Sequence, residues 1–151
     1  MGTVITLAFA GFLIFGPLRT SLGYFVEPKY YEHIRPSMQT LQEEWRPGDM
    51  LYLSNGAVPA FAFYEPLYGL AQTDYVSNPR ADYQDPDRIS SQLESLKGKA
   101  RVWVLMSHVY EKGGFSEKDY ILEDLKQIGR MKREFRMPGT SVYLYLFDLQ
   151  N

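Results

Sequence analysis

Residues 1–18 carry no charged side chain, and the stretch 4–15 is almost wholly apolar. A run of this kind must be kept from water, and it reaches the lower limit of what a helix needs to cross a bilayer. Arg19 ends the run, and Gly16 and Pro17 are expected to loosen or end the helix there. Tyr24, Phe25, Tyr30 and Tyr31 follow with rings of the type that settle at a membrane interface. We therefore expect a transmembrane helix over residues 1–22, a linker over 23–35 and an extramembrane domain over 36–151. Two other readings stay open. A secretory signal peptide would want a basic segment before the run and a small-x-small site after it, and neither is evident. A buried N-terminal helix or hairpin of a soluble protein is compatible with the Gly and Thr residues inside the run.

The remaining residues are enough for one domain with its own core. A hydrophobic fraction of 45% and an aromatic fraction of 15%, with 12 Tyr, argue for a folded chain. Sixteen basic and 18 acidic residues leave a net charge of -2, which gives no reason to expect nucleic acid as a partner. The absence of Cys excludes disulfides, thiolate catalysis and iron–sulfur ligation. Two His, at 33 and 108, make a multi-histidine metal site a poor expectation, and we expect neither a metal site nor a cofactor.

Pro36 suits the first turn of a helix on which Met38, Leu41 and Trp45 share one face, and Pro47-Gly48 stops it. Residues 49–53 form a short apolar run, read as a first strand, which Ser54-Asn55-Gly56 ends. Pro59 opens a helix to about Tyr68 that is apolar nearly all round and so expected to be buried, with Pro66 inside it. Residues 69–87 read as loop, with a brief strand near 71–73. Ile89, Leu93 and Leu96 mark one face of a helix closed by Gly98, and residues 101–106 read as a strand buried on both faces. Ser116 with Asp119 resembles a capping box, and Ile121, Leu125 and Ile128 carry the helix to Gly129. Residues 134–137 and 141–149, around Pro138-Gly139, read as an antiparallel hairpin. Strands separated by helices imply crossover connections. The expected fold is α/β, with a small Rossmann-like or flavodoxin-like, mainly parallel sheet, a C-terminal antiparallel hairpin and the N-terminal transmembrane helix before it.

In such sheets ligands bind beyond the carboxyl ends of the strands, which selects the loops at Ser54-Asn55-Gly56 and Ser107-His108. Asn55, Gly56 and His108 are the candidates for polar contact with a sugar or phosphate, and Tyr52 and Tyr64 for stacking. The plainer account is that Asn55-Gly56 supplies left-handed turn geometry and that His108 bonds a loop carbonyl. Neither the dinucleotide fingerprint nor the phosphate-loop signature is present. Glu43-Glu44 and Glu123-Asp124 read as solvated helix faces, and Lys132, Arg133 and Arg136 as a charged sheet edge that discourages strand addition. No nucleophile–His–acid set can be assembled.

Several short motifs occur in order: Ile34-Arg35-Pro36, Arg46-Pro47-Gly48-Asp49-Met50-Leu51-Tyr52, Gly56-Ala57-Val58-Pro59-Ala60-Phe61 with Tyr64, Leu96-Lys97-Gly98, residues 101–108, and Gly139-Thr140-Ser141-Val142-Tyr143-Leu144-Tyr145. Together they resemble the C-terminal extramembrane domain of bacterial polytopic glycosyltransferases of the GT-C type, related to the dolichyl-phosphate-mannose protein mannosyltransferases. The likeness runs over residues 34–149. It implies a parent enzyme that takes its sugar from a polyprenyl-phosphate-linked donor outside the cytoplasm. It also implies that the catalytic carboxylate belongs to an early loop of that enzyme, so no catalytic residue is expected in this chain. The first helix would then be the last of a multi-helix bundle, and the chain an integral membrane protein, single-pass as given, with its domain extracytoplasmic. A membrane-anchored module that binds a glycan or a protein partner is the alternative.

Overall fold

The computed structural model describes residues 2–26, 32–77, 86–137 and 139–150, without the side chains of 2–8, 10 and 24–26. The expected interfacial rings of Tyr24, Phe25, Tyr30 and Tyr31, residues 27–31 of the expected linker, residues 78–85 of the expected loop, and Pro138 lie outside these, while residues 23–26 of the expected linker belong to the first helix. The chain divides into two compact units, residues 1–30 and 31–151.

The first unit is α1, Gly2–Val26, a helix of 25 residues. It does not end at Gly16-Pro17 as expected, since Pro17 lies inside it. Proline removes one backbone donor and crowds the preceding turn, which costs helix stability without obliging the chain to leave the helix. Thr20 Oγ1 donates to the Gly16 carbonyl oxygen one turn back at 3.0 Å. Phe9, Phe12, Leu13, Ile14, Phe15, Leu18 and Leu22 are all exposed. Among the described residues no helix is long and apolar enough to cross a membrane. The expected span over 1–22 therefore finds no support in the described residues, where Gly11, Gly16, Pro17, Arg19, Thr20 and Ser21 interrupt the apolar side chains.

The second unit is a three-layer α/β/α arrangement. α2 (Arg35–Glu44) has Pro36 in its first turn and buries Ser37, Met38 and Leu41. β1 (Met50–Leu53) leads into a 3-10 turn, Asn55–Ala57, then α3 (Val58–Tyr64) and a second 3-10 turn, Glu65–Tyr68. β2 is Tyr75–Ser77, a few residues beyond the expected 71–73. α4 (Pro86–Glu94) precedes β3 (Val102–Met106), all five of whose residues are buried as expected. A small hairpin of β4 (Glu111–Lys112) and β5 (Phe115–Ser116), which the sequence pattern did not suggest, leads into α5 (Glu117–Ile128). Ser116 Oγ caps α5 by accepting from the Asp119 N–H at 3.3 Å. β6 (Arg130–Phe135) and β7 (Tyr143–Asp148) end the domain.

The main sheet has the order β2-β1-β3-β7-β6. β1 is parallel to β2 and β3, whereas β7 is antiparallel to β3 and β6. The sheet is thus mixed in equal parts rather than mainly parallel. The reason lies in β7, whose middle four residues are buried and which takes the inner position against β3. β6, rich in Arg and Lys, is left at the edge. Side-chain alternation sends Leu51, Leu53, Trp103, Leu105, Leu144 and Leu146 to the layer of α2 and α3. Tyr52, Val102, Val104, Met106, Tyr145 and Phe147 face α4 and α5. The expectation that the segment after β1 is buried holds only in part: Phe61 is buried, but Phe63 and Leu67 are 69% and 70% exposed. A helix packed on one side of a sheet has one buried face only, however apolar its other faces are.

Candidate site at the carboxyl ends of the central strands

β1 and β3 run parallel, so their carboxyl ends place Ser54 and Ser107 side by side. Ser54 Oγ donates to the Ser107 carbonyl oxygen at 3.3 Å and accepts from the Ser107 N–H at 3.2 Å, and both residues are buried. The Ser54 N–H also bonds the Leu105 carbonyl oxygen at 3.0 Å. These bonds stitch the two loops together, and they occupy the Ser54 hydroxyl in a structural role.

The stitch decides the role of Gly56. A Cβ there would overlap the Ser107 carbonyl oxygen and lie 2.6 Å from His108 Cβ. Glycine is needed for close approach of the two loops, and neither Asn55 nor Gly56 has a positive φ. The left-handed turn expected at Asn55-Gly56 is found instead at His108, whose φ is 50°. For a non-glycine residue this is an uncommon conformation that costs on the order of 1 kcal/mol or more. Its imidazole pairs with a carboxylate: Nε2 lies 2.9 Å from Glu32 Oε2, with the two side chains 49% and 56% exposed. Asn55 is half-buried, and its carbonyl accepts from the Val58 N–H at the start of α3.

Asn55, Gly56 and His108 are therefore brought to one place, but the two expected stacking rings are not. Tyr52 is wholly buried on the α4 and α5 side, and Tyr64 packs on the opposite side of the sheet, edge-on to Phe63 at 4.9 Å between centroids. A period of two along β1 turns Tyr52 away from the layer that holds α3.

Beneath the loops lies a pair of polar groups that the sequence pattern did not single out as a pair. Among the described residues, Tyr52 Oη and Glu117 Oε1 are buried and meet no hydrogen-bond partner. Glu117 Oε2 accepts from the Tyr110 N–H at 2.9 Å, while the Glu117 N–H donates to the Tyr110 carbonyl at 2.9 Å. Burial raises the Glu117 pKa above the usual carboxylate range, against the opposing pull of the Tyr110 N–H. Burial also raises the Tyr52 pKa, with the charges of Glu117 and Asp124 adding to it. In the sequence Glu117 looks like an ordinary acidic residue in the first turn of a helix, so only its burial gives it away.

A shallow, open depression of about 460 Å³ lies over the β4–β5 turn and is lined by residues that include Glu111, Lys112, Phe115 and Asp119. Among the described residues no three His, Asp or Glu side chains gather as metal ligands would. The arrangement offers an exposed imidazole–carboxylate pair for hydrogen bonding, beside loops held closed on each other. No protein-family model matches the chain, and neither a curated protein nor a solved structure matches it.

Proposed function

We propose that this chain is a membrane-anchored accessory part of a GT-C type glycosyltransferase. Its α/β domain is extracytoplasmic and non-catalytic, and a multi-helix bundle beside α1 carries sugar transfer from a polyprenyl-phosphate-linked donor. The observation that carries this reading is α1. At about 100° per residue, its seven exposed large apolar side chains are spread around the whole circumference rather than along one stripe. A helix with large apolar side chains on every side is suited to lipid or to the interior of a bundle. The domain adds a second line of support, since the loops at the strand ends are tied to each other by Ser54 and Ser107.

The test has two parts. Membranes holding the full chain are washed at alkaline pH, and the chain is expected to stay with the lipid; release would overturn the anchored reading. The chain is then purified from native membranes in mild detergent and assayed for sugar transfer from a polyprenyl-phosphate donor, beside the chain reconstituted alone. Transfer only in the native assembly is expected. Transfer by the chain alone would overturn the accessory role, and transfer by neither would overturn the glycosyltransferase reading.

A second reading, a membrane-anchored module that binds a glycan, draws on the half-exposed His108–Glu32 pair beside Asn55. Titrating glycans against the full chain in detergent while following the His108 ring signals would bring it forward if they shift and remove it if they do not.

A further inference from the structure

Residues 58–73 carry one charged side chain, Glu65, yet much of this segment lies at the surface. Phe63 and Leu67, four positions apart, are 69% and 70% exposed. Tyr64 and Tyr68 stand next to them with ring centroids 6.4 Å apart, and Tyr75 at the start of β2 is 39% exposed and meets Phe61 edge-on at 5.6 Å. Clustered exposed apolar groups of this kind are uncommon on a surface that meets only water.

We propose that this aromatic turn is the face by which the domain rests on lipid, with Phe63 and Leu67 entering the headgroup layer and Arg35 beside a lipid phosphate. The inference depends on the membrane-anchored reading of α1. Chain connectivity selects lipid as the occupant. Arg35 is the first residue of α2, where the chain passes into the domain, and its guanidinium interacts with the Tyr68 side chain. The aromatic turn therefore adjoins the point where the tether arrives. Only residues 27–34 separate α1 from Arg35, and the nine steps from Val26 to Arg35 reach no further than about 32 Å in any conformation. A domain held that close turns one face to the bilayer. The chemistry of this face suits an interface: rings with hydroxyl tips at the headgroup level, apolar side chains projecting beyond them, and an exposed guanidinium, which binds phosphate well.

The absence of cysteine makes the test direct, since a single introduced thiol can be labelled selectively. Ile14→Cys, Phe63→Cys, Leu67→Cys and Lys97→Cys variants of the full chain carry an environment-sensitive fluorophore and are reconstituted in phosphatidylcholine–phosphatidylglycerol vesicles. Emission is then compared with and without brominated lipid. The labels at 14, 63 and 67 are expected to shift to the blue and lose emission to the bromines, while the label at 97, after α4 on the opposite layer, keeps its emission. Loss at 14 with 63 and 67 behaving like 97 would overturn this proposal and leave the anchored reading standing. No loss at 14 would overturn both. Labels at 63 and 67 protected from aqueous iodide but untouched by brominated lipid would mean that protein covers the turn, which also overturns the proposal.

Discussion

Among the described residues, a buried carboxylate at the amino ends of β1 and β3 meets three donors, whereas toward their carboxyl ends two buried polar atoms meet none. Asp49 Oδ2 accepts from the Trp103 indole at 2.6 Å and from the Arg46 N–H at 3.2 Å, and Oδ1 accepts from Arg101 Nε at 2.8 Å. Arg101 also donates to the Glu44 carbonyl oxygen at 3.1 Å and lies 5.5 Å from the Trp103 ring centroid. Every part of that cluster has a partner, which is how a charge survives burial. At the other end Tyr52 Oη and Glu117 Oε1 are unpartnered, and His108 holds a left-handed backbone. The amino end thus locks α2, β1 and β3 together. The carboxyl end keeps its strain and its unmet polar groups where an open α/β sheet displays its loops.

The contrast can be broken most severely at Asp49. Asp49→Ala leaves the buried indole N–H without its acceptor and the Arg101 guanidinium without its carboxylate, and is expected to cost about 3–5 kcal/mol in denaturant unfolding of the full chain in detergent. A loss below 1 kcal/mol would mean that the cluster is ornamental. Gly56→Ala forces a methyl group into the Ser107–His108 backbone and should cost about 1–3 kcal/mol, with faster amide exchange at Ser107 and His108. Unchanged exchange there would show that the two loops do not depend on each other.

Glu117→Gln sharpens the comparison through pH. Because the folded-state pKa of Glu117 is raised, the folded protein holds that proton more tightly than the unfolded chain does. Its contribution is fully present below the ordinary carboxylate range, about pH 4 to 5, and is lost as pH rises through the folded value. The glutamine variant should therefore match the parent in acid and be more stable near neutrality. A gap that widens toward acid would reverse the sign and refute the account. The smallest effect is expected from Tyr52→Phe, within about 1 kcal/mol of zero, because the hydroxyl it removes has no partner to lose. A larger loss would mean that the hydroxyl is bonded in solution.

Period and punctuation made much of the domain readable beforehand. Met38 and Leu41, Ile89 and Leu93, and Ile121, Leu125 and Ile128 repeat at helical spacing, and each set is buried. Ser116 announces the start of α5, and residues 102–106 announce a strand covered on both faces. The place of β7 was not readable, because strand order depends on which hairpin partner is apolar enough for the interior, a property of the assembled sheet. The β4–β5 hairpin was missed because two-residue strands carry no period. Of the expected site, Asn55, Gly56 and His108 were found together because all follow strand ends. Tyr52 and Tyr64 were separated by side-chain alternation across β1.

The sequence by itself determined an N-terminal helix without charge up to residue 18 and an α/β domain, since both depend on the local order of apolar and polar residues. Tertiary structure alone decided that Gly56 is required by a neighbouring backbone, that Glu117 and Tyr52 share a buried shortage of partners, and that the apolar turn at Phe63 and Leu67 faces outward. Close approach, burial and exposure depend on residues far apart in the chain, and no local pattern contains them.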